Sequence, residues 1–452
     1  MALFTHEDRA AFSGGVHPPE SKELTAHLPI RRMPFPDEVV IPLSQHIGGP
    51  SKPIVGPGDH VERGDKIAEA TGFVSVPQHA SVTGTVKEIL RWPHPTGNLT
   101  HAIRIVADPY SAQVARPRTI PEWEDLDQAG LIAAVQQGGV VGLGGAAFPT
   151  HVKLSPPEGK VVEHLILNGC ECEPYLTTDH RIMVEYPGRV LTGLLIMMRA
   201  MKVKSAMIGI ENNKPDAIEA LKAEYERMRP AFQNEGAHVE IQGLTVRYPQ
   251  GAEKMLIEAL TTKEVPSGGL PIETGVLVQN VGSVASIAEI FETGLPLVER
   301  VVTVTGRGIE RPSNLLVPIG TKLRDLFAAC GGTTFDARQV VMGGPMMGPS
   351  QSNLDTPIVK GVTGVVVLPE AELKTQEEYD CIRCGHCLDS CPVYLNPQRL
   401  GLLAKNHRYA DMQSDYHLQD CMLCGCCTYV CPSNIPLSQL FGASKAALRN
   451  QG

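Results

Sequence analysis

Between residues 126 and 228 the apolar positions switch repeatedly between two spacings. "LDQAGLIAAVQQGG" (126–139) repeats at helical period and stops at a glycine pair, and "HLILNG" (164–169) is a short apolar run. "PGRVLTGLLIMMRAMK" (187–202) predicts an apolar helix and "SAMIGIEN" (205–212) the next buried strand. "PDAIEALKAEYERM" (215–228) then opens on proline and carries an amphipathic stripe. Helices alternating with short buried strands predict α/β organisation around a parallel sheet. The flanks differ. "VGPGDHVERGDKIAEA" (55–70) and "VSVPQHASVTGTVKEI" (74–89) read as two small β-meanders with Gly-Asp turns. Residues 300–332 give strand, turn, strand, helix, and past "AELKTQEEYD" (371–380) short helices are separated by cysteine runs. The chain therefore divides into four units, 1–115, 116–299, 300–368 and 369–452.

Composition narrows the class. With 452 residues and 42% hydrophobic content, each unit can bury a core. A net charge of −9 argues against a nucleic-acid partner, which would require a basic stripe. The longest apolar candidate, "VLTGLLIMM" (190–198), falls short of the ~18 residues of a spanning helix. "MALFTHEDRA" lacks the cationic and apolar segments of a signal peptide. The expectation is a chain that spans no membrane but can sit against one.

Nine of the twelve cysteines lie between Cys381 and Cys431. "CIRCGHCLDSCP" (381–392) and "CMLCGCCTYVCP" (421–432) both follow C-x2-C-x2-C-x3-C-P, the pattern of bacterial two-cluster ferredoxins. A tight loop wraps three thiolates around one cubane, and the fourth cysteine, turning into a helix, reaches the other. Cys381, Cys384, Cys387 and Cys431 are thus assigned to one [4Fe–4S] cluster, and Cys421, Cys424, Cys427 and Cys391 to a second. Zinc knuckles would need only simpler four-ligand spacing. Cys426 is left over as a buried bystander.

Two other stretches carry resemblances. Residues 55–89 are similar to the two halves of a barrel-sandwich hybrid, the fold of lipoyl and biotinyl carriers, but the hairpin "ATGFVS" (70–75) has no lysine to modify. "GLGGAAFPT" (142–150) is a glycine-rich loop whose amides can approach a phosphate or a flat ring. Together with "NGCECEP" (168–174), "YPQGAEK" (248–254) and "QNVGS" (279–283), it resembles the flavin- and NADH-binding subunit of respiratory complex I. The resemblance spans roughly residues 130–335 and runs on through a β-grasp unit similar to an SLBB domain. With "FSGGVHPPESK" (12–22), the hybrid unit and the cysteine runs, the whole chain resembles the RnfC proteins of Rnf electron-transport complexes.

That resemblance implies a multidomain α/β fold: barrel-sandwich hybrid, Rossmann-like FMN/NADH domain, β-grasp domain and α-helical two-cluster ferredoxin-like domain. It implies non-covalent FMN near Gly142, Gly144, Gly145, Lys153, Asn168, Tyr248, Gly251 and Asn280, with Phe148, Glu171, Glu173 and Glu253 lining the nicotinamide side. Cys170 and Ala252 stand where the family has carboxylates. Read as extended chain, "NGCECEP" alternates, placing Cys170 and Cys172 on a packing face and Glu171 and Glu173 on a functional one. The implied activity is electron exchange between NAD(H), FMN and two [4Fe–4S] clusters, in a peripheral subunit on the cytoplasmic face of the bacterial inner membrane. Its implied partners are the other Rnf subunits, the ferredoxin-like one among them. Two alternatives stay open: the cobalamin reductase of propanediol-utilising microcompartments, which lacks a hybrid domain, and an iron–sulfur scaffold without flavin.

Overall fold

The computed structural model describes residues 12–115, 120–373 and 377–451. The "MALFTHEDRA" segment, in which no signal peptide is expected, lies outside them. The α/β unit is built on a parallel sheet in the order His238–Leu244, Ser205–Glu211, His164–Asn168, Val276–Asn280. The chain starts at the strand His164–Asn168, steps outward twice, then returns to pair on that strand's other side. This reversal opens a crevice beyond the carboxyl ends of His164–Asn168 and Val276–Asn280, where open α/β sheets bind ligands. Helix Pro187–Met201 buries Val190, Leu191, Leu194, Leu195, Met197 and Met198 under the sheet. A Cβ on its Gly193 would come within 2.0 Å of the Val284 carbonyl, so glycine there permits the close crossing of helix Val281–Thr293.

The hybrid unit stacks a sheet of Glu38–Pro42, Leu99–Ala107, Gly84–Pro93 and His60–Val61 on a smaller one of Lys52–Pro53, Lys66–Glu69 and Gln78–His79. Val39, Ile41, Ile67, Val82, Ile103 and Ile105 fill the space between. In the β-grasp unit, Glu299–Thr305 lies parallel to Gly364–Pro369 at the sheet's centre. Helix Leu323–Ala329 buries Leu323, Leu326 and Phe327 in that unit's core, and Cys330 closes the helix as a buried residue.

The two cysteine loops repeat one backbone turn at an offset of forty residues. Arg383 and Leu423 have φ of 56° and 58°, Gly385 and Gly425 86° and 82°, and Tyr394 and Asn434 53° and 52°. Around them, helices Pro397–Lys405 and Leu437–Gln451 bury Leu400, Leu403, Leu437 and Phe441.

The described residues before Glu38 join neither hybrid sheet. Ile30–Arg32 pairs in parallel with Ser313–Pro318 at the edge of the β-grasp sheet. Upstream, the Gly15 amide donates to the Ser390 carbonyl (3.0 Å), and Val16 and Tyr248 exchange backbone hydrogen bonds of 2.8 and 3.0 Å. Lys22 is buried, and its Nζ donates to the carbonyls of Glu171 (2.8 Å), Glu173 (2.9 Å) and Leu176. One ammonium thus closes the loop that "NGCECEP" begins.

Lys22→Met keeps the stem and removes the donors, leaving three carbonyls unpaired. The expected loss is on the order of 3 kcal/mol, read as a lowered thermal unfolding midpoint. An unchanged midpoint would show the lysine to be incidental.

Candidate functional site

The glycine loop lies at the sheet's crevice. Gly145 has φ +114° and open space where a Cβ would stand, whereas a Cβ on Gly144 would meet the Asn280 side chain at 3.3 Å. Gly144, Gly145 and Ala146 are exposed, and their amides make no hydrogen bond among the described residues. The loop is anchored on both sides of this gap: the Leu143 amide donates to Ser283 Oγ (2.7 Å) and the Gly142 amide to the Phe148 carbonyl (2.8 Å). Asn168 and Asn280 are paired at the ends of the two strands flanking the crevice. Asn168 Nδ2 holds the Gly251 carbonyl (2.7 Å), and Asn280 Oδ1 caps helix Val281–Thr293 through the amides of Gly282 and Ser283. Lys153 Nζ donates to Glu253 Oε1 (2.7 Å) and the Val278 carbonyl (3.0 Å). A bare glycine cradle, free amides and an adjacent ammonium fit the phosphate and ring of a flavin mononucleotide.

Beneath the loop are two buried cations. Arg300 donates to the Leu143 and Lys360 carbonyls, and Lys360 Nζ to the carbonyls of Gly139 (2.9 Å) and Pro77 (3.3 Å). Burial pulls the Arg300 guanidinium down to about 10 and the Lys360 ammonium to about 7. Arg300 stays charged at neutral pH and biases the overlying loop toward anions. No sequence pattern marks either residue.

The expectation for "NGCECEP" is corrected. The strand ends at Asn168, and Glu171 has φ +46°, so the alternation of faces is lost. Glu171 accepts from the amides of Asp179 (2.7 Å) and His180 (3.1 Å), capping helix Thr178–Glu185. Burial and the neighbouring Glu171 carboxylate raise Asp179, whose Oδ2 accepts from Asn280 Nδ2 (2.6 Å). Glu173 turns the other way, into the loop "GGPMMG" (343–348), where Oε2 accepts from the Met346 amide (3.1 Å). Its Oε1 is buried without a hydrogen-bond partner, and burial pushes its carboxyl up to about 7. Cys170 is buried as packing, while Cys172 Sγ accepts from the Gly251 amide (3.4 Å).

The cysteine loops fall into two groups. Cys391, Cys421, Cys424 and Cys427 line one recess, with Cys426 also on its wall. Cys381, Cys384 and Cys431 surround Cys387 closely enough to raise its thiol, although burial is the larger cause. The fourth cysteine of each run therefore lies with the other run's first three. Among the described residues no three His, Cys, Asp or Glu side chains converge on a single-ion position. Thiols set around a recess, rather than converging on a point, fit a multinuclear cluster better than a zinc ion.

The second cysteine loop is seated on the α/β unit. Tyr248 Oη donates to the Cys424 carbonyl (2.7 Å), and buried Cys426 points its Sγ at the Tyr248 carbonyl. Asp420 accepts from the Gly268 amide (2.8 Å), Ser267 Oγ and Lys254 Nζ (3.3 Å). Met346, whose amide holds Glu173, packs with Cys172, Cys424 and Cys426, and its carbonyl would meet a Cβ on Gly425 at 2.8 Å. The first loop faces outward, with Cys381 and Cys384 exposed.

Family models match in the same order: the RnfC barrel sandwich hybrid domain over residues 10–109, the Nuo51 FMN-binding domain over 135–289, the SLBB domain over 301–350 and the 4Fe-4S dicluster domain over 377–435. The chain is 45% identical over 410 residues to the C-type component of the proton-translocating ferredoxin:NAD(+) oxidoreductase complex of Clostridium ljungdahlii, covering 91% of this chain and 88% of that one. It is 42% identical to the Na(+)-translocating counterpart of Acetobacterium woodii, with 89% of each covered. An NAD+-reducing [NiFe]-hydrogenase in the air-oxidized state shares the fold at a TM-score of 0.54 and 20% identity, over 73% of this chain and 67% of that one.

Glu173, raised in the folded state, contributes stability that is full below the unfolded value and is lost as pH rises to about 7. Wild type should lose about 2 kcal/mol relative to Glu173→Gln between pH 5.5 and 7, measured by chemical denaturation at each pH; parallel profiles would contradict the burial. Separately, Cys391→Ser should perturb the cluster of Cys421, Cys424 and Cys427, and Cys431→Ser that of Cys381, Cys384 and Cys387. Electron paramagnetic resonance of each variant distinguishes this from damage confined to the mutated run.

Proposed function

The chain belongs to the RnfC family of ion-translocating ferredoxin:NAD(+) oxidoreductase complexes, and on that premise we propose that it is the NAD(H)-linked module, holding one non-covalent FMN and two [4Fe–4S] clusters. Bound FMN supplies the exchange between the two-electron hydride chemistry of nicotinamide and the one-electron chemistry of iron–sulfur clusters. The chain's own residues bind and orient. The free amides of Gly144, Gly145 and Ala146 would take phosphate oxygens, with Lys153 held beside them by Glu253. Asn168 fixes Gly251, and Asn280 fixes the start of its helix, so the crevice keeps its shape without the ligand. Tyr248, Met346 and Cys172 fill the space between crevice and cysteine recess and exclude water from it.

The observation that carries this reading is the hydrogen bond from Tyr248 Oη to the Cys424 carbonyl. It seats the set Cys391, Cys421, Cys424 and Cys427 against the flavin crevice, while the set containing exposed Cys381 and Cys384 faces outward, toward a partner protein. That partner is read as another member of the complex, the ferredoxin-like one included, and nucleic acid is not among the ligands. Among the described residues no helix is long and apolar enough to cross a membrane. Attachment at the cytoplasmic face through partner proteins is consistent with this. The RnfC hybrid match over residues 10–109 favours this reading over the cobalamin-reductase alternative.

Under anaerobic conditions, NADH added to the chain loaded with FMN and clusters should bleach the flavin band and then the cluster absorbance. Lys153→Met should retain FMN roughly tenfold less tightly, with both clusters intact. Flavin that dithionite reduces but NADH does not would overturn the assignment.

A further inference from the structure

The hairpin at residues 70–77 joins the two halves of the hybrid domain, the place where carrier domains display a modified lysine. Its exposed tip residue is Phe73, with 60% of its surface accessible. A second loop lies against it: the Gly49 amide donates to the Val74 carbonyl (3.1 Å) and Thr71 Oγ1 to the Pro50 carbonyl (2.9 Å). That loop exposes Ile47, at 54%. Both loops are docked on the glycine loop of the flavin domain. The Ile47 amide donates to the Ala147 carbonyl (3.2 Å), and His151 Nε2 donates to the Phe73 carbonyl (2.8 Å). The His151 ring meets the Phe73 ring edge-on, with centroids 5.8 Å apart. His151 lies two residues before Lys153, on the short helix Thr150–Lys153.

Two large apolar side chains are thus exposed on loops bonded to Ala147 and His151, next in sequence to the unpaired amides of Gly144, Gly145 and Ala146. Isolated exposed hydrophobics are ordinary, but these two stand on neighbouring loops, each fixed by a hydrogen bond to the ligand loop or to the helix that follows it. A dinucleotide carries two planar bases joined by a pyrophosphate. If the glycine amides hold the flavin phosphate, one base meets the flavin and the pyrophosphate runs along the outside of the loop, the second base needs an apolar plane at the loop's edge. Aromatic side chains serve that purpose well, because every base has a π face.

We propose that the hybrid domain forms one wall of the dinucleotide site, with Phe73 stacking on the adenine of NAD(H) and Ile47 packing beside it. This rests on the reading that NAD(H) binds at the glycine loop. The hairpin that displays a lysine in carriers is here a fixed part of the substrate pocket.

The test uses the full chain with FMN and clusters, and measures equilibrium binding of NADH, ADP-ribose and reduced nicotinamide mononucleotide to wild type, Phe73→Ala and Phe73→Trp. Phe73→Ala should weaken NADH and ADP-ribose by a common factor of roughly ten, leave the mononucleotide's affinity as it was, and retain full FMN content. Phe73→Trp should restore both affinities. Unaltered NADH and ADP-ribose binding in Phe73→Ala overturns the proposal, as does equal weakening of the mononucleotide, which would mean Phe73 acts by propping the glycine loop. Absence of NADH binding in wild type would instead fell the functional reading, and this one with it.

Discussion

The distance between two redox groups governs how fast an electron passes, so the structure depends on whatever fixes one cofactor module against the other. Here that contact is small. Tyr248 Oη holds the Cys424 carbonyl, Val16 holds both backbone groups of Tyr248, and Asp420 is gripped by Lys254, Ser267 and Gly268. Because Tyr248 lies in the motif proposed for the flavin site and Cys424 in one proposed to ligate a cluster, one hydrogen bond joins the two modules directly. The N-terminal strap, the "GGPMMG" loop and buried Cys426 pack around that bond.

The electrostatics of the site follow a similar economy. Lys22, Lys214, Arg300 and Lys360 are all buried, and each donates to backbone carbonyls. Of the four, Lys214 also meets a carboxylate within ion-pair distance, Glu211 at 3.3 Å. A buried donor satisfied by carbonyls fixes loops, and burial lowers Lys22, Lys360 and Arg300 toward their neutral forms. Arg300, which stays charged, places positive potential under the loop read as receiving a phosphate. Acids at the same site go the opposite way, with Glu173 and Asp179 pushed toward neutrality by burial.

The grouping of the cysteines was legible because the spacing within each run limits which thiols one tight loop can bring together, and the fourth of each run does lie with the other run's first three. The four-module order was legible because each module has its own hydrophobic period or turn chemistry. "NGCECEP" was not legible in detail: a two-residue alternation assumes extended backbone, and Glu171 takes a left-handed turn that no local composition signals. Its two glutamates diverge, one to cap a helix and the other to meet a loop some 170 residues downstream. Lys22, Arg300 and Phe73 escaped for a different reason. Their partners lie 149, 157 and 78 residues away, so no window of sequence contains both halves of the interaction.

The path of residues 12–32 bears on how the chain is made. This segment is made before all of its partners, Glu171, Tyr248, Ser313–Pro318 and Ser390. It must wait, incompletely paired, until the chain has been synthesised past Ser390. Contacts of such long sequence separation slow folding and leave apolar stretches open to aggregation. Gly14 presses on the Cys391 carbonyl, so final docking of the strap also requires the cysteine modules to have adopted their turns. Folding of the cysteine-rich end and closure of the N-terminal strap are thereby coupled, so a fault in either leaves the other's contact surface exposed.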